Sequence, residues 1–334
     1  MSETVGILGA GAFGTALAKL LCEGGHRVTA YAREPEVVQG INEEHRHPRR
    51  MKDIRLPPGL KATTSIEETL AGATFVVSAV PTVATREVWE KAAPFLPPDA
   101  LVVSATKGIE NGTLMLVSDI LEDVLPEEAH ARLTYLSGPS FALELARRLP
   151  TAVTIASKSE EAATAVQGVI STDYFRAYTT TDVVGVELGG ALKNVIAIAA
   201  GAADGLGFGL NTRAALITRG LAEISRLAVK MGARPLTLSG LAGMGDLVLT
   251  CTGPLSRNRT VGFQIGQGKK LDDILRELGE VAEGVYTTRA VHDLSRREQV
   301  EMPISEGVYR LLFEGIDARE LVYELMGRRL KPES

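Results

Sequence analysis

The sequence predicts an α/β protein in which a parallel-sheet domain is followed by a mostly α-helical domain. In the first half, short β-branched runs alternate with helical patterns, as expected for strands joined by crossover helices. After about residue 182 these runs largely vanish, and Ala, Leu and Gly recur at helical spacing through residue 325. We therefore predict a sheet domain over residues 1–181 and a helical domain over residues 182–334.

The predicted strands are short and mostly continuous in apolar residues, which is typical of strands that helices cover on both faces. Ser65 and Glu68 have the spacing of a helix capping box. Residues 45–58 are basic, proline-rich and aperiodic, so we predict a surface loop there. The weakly charged stretch 188–203 is too short for a comfortable membrane span, and we predict a buried helix. The strands are predicted at residues 4–8, 27–31, 74–80, 101–105, 133–136 and 152–156, with a weaker run at 175–178.

Composition narrows the class of protein. The 334 residues are 45% hydrophobic and 23% charged, which is typical of a folded globular chain. A net charge of -5 argues against nonspecific nucleic-acid binding. The two cysteines are far apart and outside metal-ligand spacing, so we predict neither a disulfide framework nor a metal site. No signal peptide is visible, and a cytoplasmic location is expected.

A glycine motif at the start of the chain predicts the cofactor class. Residues 5–14 read Val-Gly-Ile-Leu-Gly-Ala-Gly-Ala-Phe-Gly, with Gly9, Gly11 and Gly14 in the G-x-G-x-x-G order between a strand and a helix. These glycines allow a tight turn, close approach to a pyrophosphate and close helix packing, and the helix start presents amides to the anion. An ordinary glycine turn is the alternative. The context favours a Rossmann-type domain that binds a nicotinamide dinucleotide.

The end of the second strand bears on the choice between NADP and NAD. An acidic residue there would bind the ribose of NAD, but Tyr31, Ala32 and Arg33 occupy the region. Arg33 suits a 2′-phosphate, so we expect NADP to be used well, while Glu34 and Glu36 keep NAD use possible. The alternative is that Arg33 stacks on the adenine or lies in solvent.

One lysine in the second half is a candidate acid. Lys193 is the only charged side chain between Leu188 and Ala203. A buried ammonium needs a partner or a ligand, and it can protonate a carbonyl oxygen as hydride reaches the carbon. The alternative is a lysine that extends from an apolar helix to the surface.

A second polar cluster follows the glycine-rich stretch 240–246. Ser256, Arg257 and Asn258 offer a hydroxyl, a guanidinium and an amide, which together suit a phosphate monoester. A solvated basic loop with a helix cap is the alternative.

Together these segments resemble the bacterial NAD(P)-dependent glycerol-3-phosphate dehydrogenases over nearly the whole chain. The resemblance implies a cytoplasmic, often homodimeric enzyme that interconverts dihydroxyacetone phosphate and sn-glycerol 3-phosphate with NADP or NAD and feeds phospholipid synthesis. It rests on residues 9–14, 79–81, 105–108, 137–142, 187–194, 240–246, 256–258 and 281–284.

The resemblance also implies roles for individual residues, with Lys193 as the catalytic lysine. Phe13 and Ala12 depart mildly from the family, where tryptophan and serine are frequent. The implied substrate-binding residues are Lys107, Gly138, Ser140, Lys193, Asp246, Ser256, Arg257 and Asn258. The implied cofactor-binding residues are Gly9, Gly11, Ala12, Phe13, Gly14, Arg33, Lys107, Ala142, Arg257, Val281 and Glu283.

Two other functions stay open at this point. A related β-hydroxyacid dehydrogenase, of the hydroxyisobutyrate or ketopantoate reductase type, would pair the same kinds of domain with a carboxylate substrate. A protein that binds NADP without turnover, as a sensor or scaffold, is the other alternative. The Ser256 to Asn258 cluster favours a phosphate substrate, and Lys193 favours an enzyme.

Overall fold

The structure is a computed structural model that describes residues 2–279, 281–330 and 332. Contacts divide the chain into two compact units. The first comprises Met1–Lys107 and Met115–Glu187, and the second comprises Gly108–Leu114 and Leu188–Ser334. The predicted boundary between residues 181 and 182 stays a prediction.

The first unit is built on one eight-stranded sheet, in the order β3-β2-β1-β4-β5-β6-β7-β8. All seven predicted strands are present, although some ends differ by one or two residues. The chain builds outward from β1 in one direction through β2 and β3, and then in the other from β4 onward. The carboxyl end of β1 therefore lies at the point where the strand order reverses, which is where dinucleotides bind in such sheets. The strands are β1 Thr4–Leu8, β2 Arg27–Tyr31, β3 Lys61–Thr63, β4 Phe75–Ser78, β5 Leu101–Ser104, β6 Leu133–Ser137, β7 Thr151–Ala156 and β8 Phe175–Thr180.

Two features of the sheet correct the prediction. The edge strand β3 was not predicted, because its three residues contain no apolar run. The sheet is also not wholly parallel, since β6 pairs with β7 in antiparallel orientation. The connection between them holds only the five-residue helix Ala142–Ala146, without the long crossover helix that usually returns a chain for parallel pairing.

Among the described residues of the first unit, eight α-helices connect the strands, together with a π-helical turn at Gly40–Glu44 and a 3₁₀ turn at Ala93–Phe95. The Ser65 side chain caps one of them by accepting a hydrogen bond from the Glu68 amide (3.1 Å), as the capping-box spacing predicts. The helices are α1 Ala12–Glu23, α2 Pro35–Gln39, α3 Ile66–Leu70, α4 Thr82–Ala92, α5 Val117–Val124, α6 Glu127–His130, α7 Ala142–Ala146 and α8 Glu160–Ile170.

The basic segment 45–58 forms no helix or strand, but the prediction of a surface loop is wrong in part. His47, Ile54 and Leu56 are buried. The apolar members of the loop pack into the core of this unit, so the segment is a folded part of the domain.

From residue 182 onward, the described residues form helices and no strands. The first of these helices, α9, begins in the first unit and ends in the second. It is long and apolar enough to cross a membrane, but 89% of its most apolar 18-residue window is buried, as the sequence predicts for a core helix. The helices are α9 Val183–Gly205, α10 Leu210–Lys230, α11 Pro235–Leu238, α12 Asp246–Thr252, α13 Arg257–Gly266, α14 Leu271–Leu278, α15 Glu283–Arg297, α16 Pro303–Phe313 and α17 Ala318–Met326.

Helices α9 and α13 approach each other backbone to backbone. A Cβ atom added at Gly262 would lie 2.0 Å from the Ile198 carbonyl oxygen, and one at Gly201 would lie 2.1 Å from that of Arg259. Equally close contacts involve Gly205 and Gly266. The four glycines, spaced by four residues on each helix, make this contact possible because no side chain separates the two backbones.

We expect Gly262→Ala to lower the free energy of unfolding by about 1–3 kcal/mol or more, because the added methyl group overpacks a backbone contact. Gly168→Ala is the matched control. Gly168 lies in α8 with open space around its Cβ position, so alanine should stabilise by about 0.5–1 kcal/mol. Chemical denaturation of both variants measures the difference, and equal stability of the Gly262 variant and the wild type would contradict the packing argument.

Candidate active site

The glycine turn has the geometry that a pyrophosphate requires. Gly9 has a φ of +103°, which favours glycine, and a Cβ atom at Gly14 would lie 1.9 Å from the Gly9 carbonyl oxygen. At Gly11, by contrast, a Cβ atom would meet nothing within 4 Å, so the backbone faces open space at the start of α1. Ala12 and Phe13 form the first turn of that helix, whose amides have no partner earlier in the helix. These residues fit a dinucleotide cofactor.

Arg33 lies two residues beyond β2 and is well exposed. Its side chain is 85% exposed and forms an ion pair with Glu34 (3.0 Å). The guanidinium is therefore accessible to a phosphate at this end of the sheet, and an acidic side chain already lies beside it. Both features are compatible with a role of Arg33 in the choice between NADP and NAD. That role stays a prediction.

Three predicted residues of the first unit meet just beyond β5 and β6. The Lys107 ammonium donates to the Gly138 carbonyl oxygen (3.2 Å), and the Ser140 hydroxyl donates to the same oxygen (3.0 Å). Gly138 has a φ of +136°, and a Cβ atom there would lie 2.9 Å from the Val153 Cα. Ala142 begins α7 in the same connection.

The candidate acid of the second unit is buried and held by two polar groups. Lys193 is 7% exposed, and its Nζ donates to the Asp246 carboxylate (2.8 Å) and to the Thr250 hydroxyl (2.9 Å). Asp246 is itself only 2% exposed. The alternative of a lysine that reaches the surface is therefore wrong. Thr250 is not among the predicted site residues, although it lies four residues after Asp246 on α12 and hence on the same helix face.

A buried cysteine, Cys251, follows Thr250 on α12. Burial raises the pKa of the Cys251 thiol to about 12, and the Lys193 charge opposes the shift only in part. The thiol therefore stays protonated at neutral pH and is not a nucleophile.

The Ser256 to Asn258 cluster separates into three different roles. The buried Ser256 hydroxyl caps α13 by accepting a hydrogen bond from the Arg259 amide (3.2 Å). For Ser256, the alternative prediction of a helix cap is therefore correct. Arg257 is exposed at the start of that helix. Asn258 is buried and bonded within the unit. Arg257 is thus the exposed member of the cluster, while Ser256 and Asn258 are buried.

Asn258 joins three segments of the second unit. Its Nδ2 donates to the Asn194 side-chain oxygen (2.9 Å), and its Oδ1 accepts from the Gly284 amide (2.9 Å). Asn194 follows Lys193 on α9, and Gly284 lies in the first turn of α15. Asn258 therefore fixes the position of Lys193 relative to the start of α13. Asn194 is not among the predicted site residues, and its only signal in the sequence is its place after the lysine.

The predicted cofactor residues of the second unit lie beside this junction. Val281 precedes α15 and Glu283 begins it. Burial lowers the pKa of the Arg257 guanidinium, and the nearby Glu283 charge opposes that shift. The structure thus brings Arg257, Asn258 and Glu283 together. Among the described residues it contains no group of three or more side chains that could hold a metal ion.

Comparisons with known proteins identify the family. A model described as the NAD-dependent glycerol-3-phosphate dehydrogenase N-terminus matches residues 4–163, and one described as the C-terminus of the same enzyme matches residues 182–323. The chain is 56% identical over 327 residues to the glycerol-3-phosphate dehydrogenase [NAD(P)+] of Myxococcus xanthus, covering 98% of each chain. The chain belongs to the NAD-dependent glycerol-3-phosphate dehydrogenase family.

Two further members of the family support this conclusion. The enzyme of Citrifermentans bemidjiense, also called a glycerol-3-phosphate dehydrogenase [NAD(P)+], is 54% identical over 333 residues, which cover 100% of this chain and 99% of that one. The crystal structure of glycerol-3-phosphate dehydrogenase from Coxiella burnetii aligns with a TM-score of 0.92 at 38% identity, covering 98% of this chain and 99% of that chain. The resemblance and the fold class predicted from the sequence are confirmed.

Besides Asp246, the carboxylate of Glu187 is also buried, and Glu187 lies near Lys193 in the sequence. Its carboxylate accepts from the Ser118 amide (2.9 Å) and from the Ser118 hydroxyl (2.5 Å), at the start of α5. Burial raises the pKa of Glu187 to about 8, although these two hydrogen bonds oppose the shift. Since both donors belong to Ser118, the geometry assigns Glu187 a structural role in the first unit.

We expect the stability advantage of the wild type over Glu187→Gln to fall as pH rises from about 5 to about 8. With the pKa raised above its unfolded value of about 4.3, the native state keeps a proton that the unfolded chain loses in this window. The slope is at most about 1.4 kcal/mol per pH unit. Denaturation at several pH values, with the exposed Glu128→Gln as control, measures it, and a difference independent of pH would rule out the raised pKa.

Proposed function

We propose that this protein is an oxidoreductase that interconverts dihydroxyacetone phosphate and sn-glycerol 3-phosphate with NADPH or NADH. The observation that carries the proposal is the buried Lys193 ammonium, held by Asp246 and Thr250 in a chain of this family. Reduction of a ketone needs an acid for the oxygen, and a phosphorylated substrate needs cations for its dianion. The chain supplies both kinds of group.

Lys193 acts on the carbonyl oxygen of the substrate. A nicotinamide cofactor held by the glycine turn, through Gly9, Gly11 and Gly14, would supply a hydride to the carbonyl carbon. Lys193 donates a proton to the oxygen as negative charge develops there, which is general acid catalysis. Asp246 and Thr250 orient Nζ, and the Asp246 carboxylate places a negative charge 2.8 Å from it.

Arg257 is the proposed phosphate contact of the second unit. Its guanidinium and the amides at the start of the ten-residue helix α13 suit a phosphate dianion. Ser256 and Asn258 support this helix start through the cap and the Asn194 bond. The resemblance adds further proposed substrate contacts, namely Lys107, Gly138 and Ser140.

The proposed cofactor residues begin with the glycine turn, which fits a pyrophosphate. Arg33 favours NADPH through its accessible guanidinium, while the neighbouring Glu34 leaves NADH usable. On the resemblance, the whole proposed set is Gly9, Gly11, Ala12, Phe13, Gly14, Arg33, Lys107, Ala142, Arg257, Val281 and Glu283.

Replacing Lys193 tests the proposed acid. We expect Lys193→Ala to lower turnover with dihydroxyacetone phosphate by about 10²–10⁴-fold, because the forming alkoxide loses its proton donor. The dissociation constant for NADPH should change by less than about twofold, since this side chain is not assigned to the cofactor. Stopped-flow and fluorescence titration measure the two quantities.

Two controls accompany this variant. Lys230→Ala removes an exposed lysine at the end of α10 and should leave turnover unchanged. A thermal melt checks that the Lys193 variant is folded, because loss of the ammonium leaves Asp246 buried without that partner. Turnover near the wild-type value in a folded Lys193→Ala protein would overturn the assignment.

The phosphate contact is tested by comparing dihydroxyacetone phosphate with dihydroxyacetone. We expect Arg257→Ala to lower kcat/KM for the phosphorylated substrate by about 10–100-fold, as loss of charge-assisted hydrogen bonds predicts. The rate with dihydroxyacetone should change far less. Arg276→Ala, at an exposed arginine of α14 paired with Asp273, is the control.

The wild-type rates also separate the alternatives. Equal rates with both ketones would refute phosphate recognition, and faster turnover of a 2-keto or β-hydroxy acid would support the hydroxyacid dehydrogenase. NADPH binding with no turnover of any of them would support the sensor.

We infer further that the enzyme works in the cytoplasm as a homodimer and supplies glycerol 3-phosphate for phospholipid synthesis. Both cysteines are free, which supports a reducing compartment. The dimer and the phospholipid role rest on the resemblance. Light scattering coupled to size-exclusion chromatography measures the oligomeric state, and a mass near 35.6 kDa would contradict the dimer.

A further inference from the structure

The basic loop 45–58 contains a buried histidine that touches the glycine turn. His47 is 4% exposed, and its Nε2 lies 2.9 Å from the Ala10 carbonyl oxygen. Ala10 stands between the first two glycines of the motif. The loop and the turn are therefore joined by a direct hydrogen bond within the first unit.

The other ring nitrogen of His47 organises the loop itself. Its Nδ1 lies 3.2 Å from the Arg49 amide nitrogen and 3.1 Å from that of Arg50, and both amides donate to it. Because Nδ1 accepts, the ring proton of neutral histidine must be on Nε2, which then donates to Ala10. Burial lowers the pKa of His47, as do the Arg50 and Arg49 charges, against the Ala10 bond and the Glu34 charge. The ring is therefore neutral at pH 7.

One arginine of the loop, Arg49, lies next to the residues that follow β2. The Arg49 guanidinium forms an ion pair with Glu36, and Arg33 forms one with Glu34. In dinucleotide-binding folds the adenosine ribose is bound at the end of the second strand. The loop thus adds positive charge at the place where a 2′-phosphate would distinguish NADPH from NADH.

We propose that His47 is a positioning residue for the cofactor, because it clamps the arginine loop onto the glycine turn. Through Nε2 it fixes the turn for the pyrophosphate, and through Nδ1 it holds the Arg49 and Arg50 backbone beside the adenosine 2′-phosphate. The inference rests on the proposed use of NADPH and NADH.

Two conservative variants separate the two bonds. In His47→Asn, the Oδ1 atom replaces Nδ1 and keeps the amide bonds of the loop, but the bond to Ala10 is lost. In His47→Gln, the amide nitrogen reaches Ala10, but the acceptor for the Arg49 and Arg50 amides is lost. His47→Ala loses both bonds.

We measure dissociation constants for NADPH and NADH by calorimetry on the full chain without substrate. We expect His47→Asn to raise the dissociation constants for both cofactors by a similar factor of about five to ten, which corresponds to the loss of one net hydrogen bond. His47→Gln should raise the dissociation constant for NADPH by about that factor and the dissociation constant for NADH by less than about twofold. His47→Ala should show both effects.

His130→Ala is the matched control, because its ring nitrogen also bonds a backbone carbonyl oxygen, that of Leu125 (3.0 Å), in the same unit. It should leave both dissociation constants unchanged. Thermal melts report folding of each variant. If His47 only stabilises the fold, the His47 variants melt earlier yet bind both cofactors as tightly as the wild type, and that outcome overturns the inference.

The outcomes also separate this inference from the proposed function. A wild type that reduces dihydroxyacetone phosphate, with His47 variants that bind both cofactors within about twofold of it, overturns the inference alone. A wild type that binds both cofactors and reduces no ketone overturns the proposed function, while the binding data still decide the role of His47. A wild type that binds neither cofactor overturns both.

Discussion

The close contact between α9 and α13 is the constraint on which the chemistry of the second unit depends. Lys193 lies on α9 and Arg257 begins α13. Because glycines leave the two backbones in direct contact, the Asn258 amide can reach Asn194, and the start of α13 is fixed beside the lysine. A side chain within this contact would separate the helices and stretch that hydrogen bond. Packing therefore sets the position of the acid relative to the proposed phosphate contact.

Much of the first unit could be predicted because its strands are buried on both faces and show as continuous apolar runs. The strand β3 has no such run, since only Ala62 of its three residues is buried, so its assignment depends on pairing with β2. The antiparallel orientation of β7 relative to β6 could not be predicted either, because it depends on the short connection between these two strands. The buried residues of loop 45–58 could not be predicted, because their burial follows from tertiary packing that has no sequence period.

The candidate site could be predicted where a charge stands in apolar surroundings. Lys193 is such a residue, and on α12 the position of Thr250 follows from helical spacing once Asp246 is placed. Asn258 differs from Lys193 in this respect. Its residue type suggests a phosphate contact, but in the structure its side-chain amide is hydrogen-bonded to Asn194 and Gly284. His47 carried no signal beyond its basic surroundings. Both asparagine and histidine obtain their roles from contacts distant in sequence, which a linear pattern does not contain.

Several cations proposed to meet an anion already have an acidic neighbour. Arg33 is paired with Glu34 and Arg49 with Glu36, while the Glu283 charge acts on the Arg257 guanidinium. These pairs reconcile a net charge of -5 with binding of anionic ligands, because the positive charge is local.

These cation–carboxylate pairs also affect the free energy of binding a phosphate. A phosphate that reaches one of these cations exchanges one anion for another, so it does not have to neutralise a bare charge. The exchange favours the ligand because a dianion attracts a guanidinium more strongly than a single carboxylate does, and phosphate geometry suits the guanidinium fork. A neutral analogue cannot displace the carboxylate and leaves it in place. Preformed ion pairs therefore make the site discriminate by charge while they limit affinity, which suits an enzyme that must release a phosphorylated product.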